Sequence, residues 1–204
     1  MNQKHQEDLA HIRSMMERSS RFISLSGLSG VFAGLSALIG GLYVCQLFKA
    51  NGIEYFGGEQ IVIPASLVSQ LFFTGLIILV FAFIFGLTFT IRKSKKYDLP
   101  IWTSATKKML FNLAIPLLAG GIFCLALLYH GIYGLVAPAT LIFYGLALIN
   151  AEKYTFSDIK YLGFCELVLG IISLFYIGYG LVFWIIGFGI LHILYGLIMF
   201  KKYK

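Results

Sequence analysis

The chain has 204 residues, of which 59% are hydrophobic and only 12% are charged, and its mean hydropathy is +0.86. Soluble domains carry roughly 25% charged residues, so this composition excludes a water-facing globule. The formal charge of +7 gathers at the ends of long apolar runs, which reads as a membrane-topology signal and not as a nucleic-acid surface.

The first 21 residues are polar. In "HQEDLAHIRSMMERSSRF", Leu9, Ile12 and Met16 share one helical face, and Glu17 and Arg21 stand four apart, where they can pair. An amphipathic arm at the inner interface is expected, with an extension of the first helix into the cytoplasm as the alternative. The apolar run that follows is too long for a cleavable leader core, so the first span is expected to stay as a signal anchor.

Six apolar segments follow, at about 22–48, 66–91, 109–130, 133–150, 160–177 and 181–200. Each is long enough to cross a bilayer as a helix. The expected fold is therefore all-α, a polytopic bundle of six transmembrane helices forming a single integral membrane domain over 1–204. In the first span, Ser26, Gly30, Gly34, Ala37 and Gly41 make a small-residue stripe. Such stripes let helix backbones approach closely. An intramolecular seam is expected, with a homo-oligomer seam as the alternative. The segment "KANGIEYFGGEQIVIP" (49–64) is expected to be the long outer loop, with Glu54 and Glu59 in water and Tyr55 and Phe56 at headgroup level; a cation-collecting mouth is the alternative.

With both termini placed in the cytoplasm, 15 of the 16 Lys and Arg residues fall inside, and only Lys49 falls outside. The positive-inside rule thus favours N-in/C-in orientation in a bacterial inner membrane. The stretch "RKSKKYDLPIWTSATKK" (92–108) mixes six basic residues with Tyr97, Ile101 and Trp102. It is expected to lie on anionic headgroups, which makes the lipid bilayer the expected partner.

The even-numbered spans carry "FGLTF" (85–89), "YGLAL" (144–148) and "YGLIM" (195–199), followed by Tyr97, Tyr154 and Tyr203. Arg21, Lys108 and Lys160 precede the odd-numbered spans. This pattern suggests three tandem helical hairpins about a pseudo-threefold centre.

The fifth span holds Glu166 in "YLGFCELVLGIIS". A carboxylate at membrane depth must be neutral, paired or wetted. Gly163, Gly170 and Ser173 share its face and turn it toward other helices. The turn between the last two spans centres near residue 179, which puts Glu166 and His192 at equal distances from it and so at nearly equal depth. Pro116 lacks an N–H, which frees the carbonyl of Asn112 on the third span. Asn112, Glu166 and His192 form the candidate polar cluster. It serves either as a hydrogen-bonded pair that fixes packing or as a site that binds a cation or relays a proton.

Nothing in the sequence points to catalysis. His5 and His11 lie in the arm and His130 at the outer face, so they cannot converge with His192 on a metal. Cys45, Cys124 and Cys165 are odd in number and lack C-x-x-C spacing, and no phosphate-loop, nucleophile-elbow or zinc-protease motif occurs. No cofactor, metal or nucleic acid is expected.

The block "ERSSRFISLSGLSGVFAG" (17–34), with the layout after it, resembles a group of small bacterial six-helix membrane proteins with no established function. The hairpin layout is similar to the acid-resistance membrane proteins of HdeD type. The shared motif is a packing motif, so the resemblance implies a fold and carries over no binding or catalytic residues. The expected function is that of a non-enzymatic inner-membrane protein, structural or stress-related, acting through lipids or partners. The alternative is a small transporter or channel for protons, cations or a small solute, using the Glu166/His192 pair.

Overall fold

A computed structural model describes residues 21–22, 25–53 and 63–203. The N-terminal arm and most of the outer loop, including Glu54, Tyr55, Phe56 and Glu59, lie outside the described residues. Among the described residues the chain is helical, with turns and no strand. The helices are α1 (Gly27–Ala50), α2 (Ala65–Lys96), α3 (Ser104–Tyr129), α4 (Val136–Ala151) and α5 (Ile159–Phe175). A sixth rod begins as α6 (Gly180–Trp184), passes through a π-helix (Ile185–Leu191) and ends as α7 (His192–Lys202). Five stretches are long and apolar enough to cross a membrane: Gly27–Ala50, Ser66–Lys96, Ser104–Tyr129, Tyr133–Tyr154 and Ile177–Lys202. The shorter α5, with 17 residues, is the one that carries the buried acid.

Local chemistry sets the boundaries. α1, α2 and α3 end alike: the residue two past the C-cap donates its N–H back to the third-last helical carbonyl. The pairs are Ile53 to Phe48 at 3.0 Å, Leu99 to Ser94 at 2.9 Å and Ile132 to Leu127 at 2.8 Å. This closure needs a left-handed residue in between. Gly52 (φ 67°) and Gly131 (φ 73°) supply it without strain, and Asp98 (φ 50°) supplies it for α2. At the start of α3, Thr103 and Thr106 form a reciprocal capping box.

The second and third helices extend beyond the expected spans 66–91 and 109–130 at the basic stretch. α2 runs on to Lys96 and α3 starts at Ser104, so only 97–103 of the basic stretch 92–108 is a connection. Lysine and arginine are good helix formers, and charge alone does not end a helix.

Successive rods alternate in direction, and one end of the bundle is tied together by polar bonds. The Phe22 N–H donates to the Tyr154 carbonyl at 2.7 Å, and Thr155 Oγ1 donates to the Phe22 carbonyl at 2.9 Å. Lys93 Nζ donates to the Leu25 carbonyl at 3.0 Å. Phe22, Met109 and Ala151 pack beneath these bonds. Arg92, Lys93, Lys96 and Lys202 lie at this end.

Asp158 completes it, accepting from both Lys202 Nζ (3.0 and 2.8 Å) and the Tyr203 hydroxyl (2.8 Å). Burial pushes the Asp158 carboxyl up. Hydrogen bonds from Lys202 and Tyr203, with the charges of Lys202 and Lys160, outweigh it and hold the group below the usual carboxylate range. A depressed folded value means that the unfolded chain takes up the proton first. The clasp therefore contributes in full above the ordinary aspartate value of about 3.9 and fades as the pH falls through the folded value. The Tyr203 N–H, bonded to the Met199 carbonyl, is expected to lose protection, relative to its intrinsic exchange rate at the same pH, below about pH 4. Asp158→Asn is expected to show low protection already at neutral pH and no further loss of protection on acidification, as read by hydrogen-exchange mass spectrometry.

The packing does not divide into three equal hairpins. α4 packs most extensively against α5 and α3, and α1 lies between α2 and the sixth rod, whereas α5 touches the sixth rod more sparsely. The three aromatic-Gly-Leu glycines sit in different surroundings. Gly86 faces open space, Gly145 meets the backbone of Gly163 and Leu167, and Gly196 meets that of Gly27 and Val31. A threefold repeat thus has no counterpart in the contacts.

The stripe on α1 is filled from within the chain. Gly30 and Gly34 approach the backbone of His192, Gly196 and Gly189, and Gly41 faces Ile185. A homo-oligomer built on this stripe would have to displace the sixth rod.

Candidate functional site

The α5 residues buried in the bundle are Leu162, Gly163, Glu166, Gly170 and Ser173, spaced by three or four. Gly163 sits against the Gly145 carbonyl and Gly170 against the backbone of Ile142. These contacts draw α4 onto α5 and hold Glu166 inside, at 0% exposure. Its carboxyl packs against Gly187 of the π-helix. A Cβ at residue 187 would run into Glu166 Oε2 and lie 2.6 Å from Leu141 Cδ2, so only glycine leaves the acid room.

His192 Nδ1 lies 3.3 Å from Glu166 Oε1 and 3.0 Å from the Gly187 carbonyl oxygen. A carbonyl only accepts, so Nδ1 carries the proton directed at it. Nε2 lies 2.8 Å from the Tyr144 hydroxyl, which donates to it when the imidazole is neutral. The imidazole is stacked against Phe188 and tilted against Tyr144. The π-helix makes this geometry: its wider turn brings the Gly187 carbonyl within reach of the side chain five residues later. Such segments are rare in helices and recur at functional sites.

The acid itself is poorly served. Neither Glu166 oxygen has a hydrogen-bond partner, because the nearest donor is aimed at Gly187. Ser173, two turns along the same face and also 0% exposed, has an unpartnered hydroxyl. Buried polar atoms are rarely left without partners, and each such group costs about 1–3 kcal/mol.

Glu166 and His192 are thus neighbours, and Asn112 is engaged elsewhere. Its side-chain amide donates to the Lys108 carbonyl at 2.8 Å, and its own carbonyl accepts from Asn150 Nδ2 at 2.8 Å. The carbonyl that Pro116 frees is capped by α4 and does not join the buried pair. Asn150 and Tyr144 were missing from the sequence reading. Asn150 could have been found as the polar residue at matching depth on the next helix. Tyr144 could have been found because a tyrosine deep in an apolar helix needs a partner for its hydroxyl.

Among the described residues, no three His, Cys, Asp or Glu side chains converge as metal ligands would. Cys45 and Cys165 are exposed on the outer surface of the bundle and Cys124 is half-buried, all as free thiols. No family model, no curated protein and no solved structure matches the chain.

Proposed function

We propose that the chain is a six-span inner-membrane protein with both termini in the cytoplasm. It performs no covalent chemistry and acts, in a structural or stress-related role, through lipids or partners. Several features support the topology. At about 1.5 Å per residue, α5 is roughly 26 Å long, close to the hydrocarbon thickness of about 30 Å. The gathering of basic residues at one end matches the positive-inside rule. The bacterial assignment rests on the resemblance of residues 17–34.

The observation that carries the functional reading is the sealing of Glu166, which has no exposed surface and is walled by Leu141, Gly187 and His192. A carboxyl enclosed in this way suits a packing lock better than a station on a solute path. A second reading, proton relay, is favoured by the two unpartnered carboxyl oxygens beside a π-helix.

Two measurements test these readings. In a background without native cysteines, Lys49→Cys is expected to react with an impermeant thiol reagent from outside, and Lys95→Cys only after permeabilisation. The opposite pattern would invert the topology. In proteoliposomes under a pH gradient, wild type and Glu166→Gln are expected to leak protons equally. A flux present in wild type and lost in Glu166→Gln would replace the first reading with the second.

A further inference from the structure

A cleft of about 190 Å³ opens at the basic end, between the start of α1, the end of α2 and the end of α7. Three cationic side chains line it: Arg92, Lys93 and Lys96. Among the described residues, none of them pairs with a carboxylate. Arg92 rests over the Phe89 ring at 5.9 Å and Lys96 over the Tyr97 ring at 5.1 Å, while Lys93 reaches the Leu25 carbonyl. The lining also includes Ser26 and Gly27, the N-cap and the first residue of a 24-residue helix. Ser26 makes no side-chain capping bond; the Ser29 N–H turns back to the Ser26 carbonyl at 3.1 Å, which leaves the N–H groups of Gly27 and Leu28 without an intrahelical acceptor. A helix start with open donors favours an anion, and here it faces three cations. Leu28, Phe89 and Phe200 supply an apolar wall that continues into the membrane-facing surface of α1 and α2.

From this convergence we propose that the cleft binds the phosphate of an anionic phospholipid. Arg92 and Lys96 hold the headgroup charge, the start of α1 donates to the phosphate oxygens, and the acyl chains run down the apolar wall. This inference rests on the reading that the basic end lies at the headgroup layer, and it names one stoichiometric lipid site within that layer. A topology signal requires only cations at this end. It does not require three of them, without carboxylates, around a cleft at a helix start.

The test is lipid retention by the purified full chain in neutral detergent, measured by native mass spectrometry with phosphatidylglycerol, phosphatidylcholine and inorganic phosphate as probes. Wild type is expected to retain phosphatidylglycerol over phosphatidylcholine. Arg92→Gln with Lys96→Gln is expected to lower that retention about twenty-five-fold, at roughly fivefold per cation near a charged headgroup; Lys93 is kept because it ties Leu25. Lys95→Gln with Lys107→Gln removes the same charge outside the cleft and is expected to retain the lipid as wild type does. Equal losses in the two double variants would overturn the site and leave a diffuse basic belt. Displacement of phosphatidylglycerol by inorganic phosphate would overturn the lipid assignment in favour of a soluble phosphate. The cysteine-labelling pattern decides the topology separately, so a failed site and a failed topology are distinguishable.

Discussion

Substituting leucine for His192 is expected to destabilise the folded protein by about 3–5 kcal/mol, the range found when one partner of a buried pair is removed. The loss has three sources. Glu166, with no exposure and no hydrogen bond to either oxygen, loses its Nδ1 neighbour at 3.3 Å. The Tyr144 hydroxyl loses its acceptor, and the Gly187 carbonyl loses the donor that the π-helix brings to it. Adding Glu166→Met to His192→Leu is expected to restore part of the stability, because two apolar groups of similar volume often replace a buried pair at no net cost. Recovery stays incomplete by about 2 kcal/mol, since the Tyr144 hydroxyl and the Gly187 carbonyl still lack the partner that His192 gave them. Equilibrium unfolding in mixed micelles of rising ionic-detergent content, followed by the fluorescence of Trp102 and Trp184, gives the three free energies. If His192→Leu unfolds at the wild-type midpoint, the carboxyl does not depend on the imidazole and the packing-lock reading fails.

The proximity of Glu166 to His192 was legible because it needed only two quantities: residues counted from a tight turn and a constant rise per residue. Small residues on one face of α5 then fixed the direction in which the acid points. The π-helix was not legible. No side-chain pattern distinguishes Ile185–Leu191 from an ordinary apolar helix with two glycines, yet that segment decides that Nδ1 faces Gly187 and leaves the carboxyl unsatisfied. Asn112 shows the complementary limit. Pro116 correctly marked a freed carbonyl, but a single freed acceptor is claimed by the nearest donor at its depth. Asn150 on the adjoining α4 is nearer than either member of the buried pair. The same reasoning explains the hairpin pattern. Aromatic-Gly-Leu recurs because aromatic and glycine residues are both favoured near membrane interfaces and in transmembrane helices. Whether each glycine meets a partner depends on which rods pack together, and Gly86 meets none. Small-residue spacing on α1 identified a seam but not its occupant, since a stripe is equally complementary to a helix of the same chain or of another copy.

Substitutions along that stripe separate the two occupants and should carry the largest cost of any surface in the molecule. A Cβ at Gly34 would lie 2.7 Å from the Gly189 carbonyl oxygen and 2.9 Å from the Ile193 nitrogen. One at Gly196 would lie 2.5 Å from the Val31 nitrogen and 2.7 Å from the Gly27 carbonyl oxygen. These neighbours are backbone and cannot rotate away, so α1 and the sixth rod must move apart along their length. Lipid offers no hydrophobic compensation for the lost contact, because close packing itself supplies the association energy. Gly34→Val and Gly196→Val are each expected to lose at least about 3 kcal/mol, the upper end for overpacked sites, or to fail to fold. Gly40 meets only the Ile78 side chain, which can adopt another rotamer, so Gly40→Ala is expected to cost about 1 kcal/mol. Gly75 and Gly121 meet nothing, and alanine there is expected to be neutral or to stabilise by up to about 1 kcal/mol through helix propensity. The same unfolding assay ranks the series, and size-exclusion chromatography with light scattering reports mass. If the seam lies within one chain, stability falls in that order at constant mass. A stripe that instead joined two copies would halve the mass in Gly34→Val and leave the protomer folded.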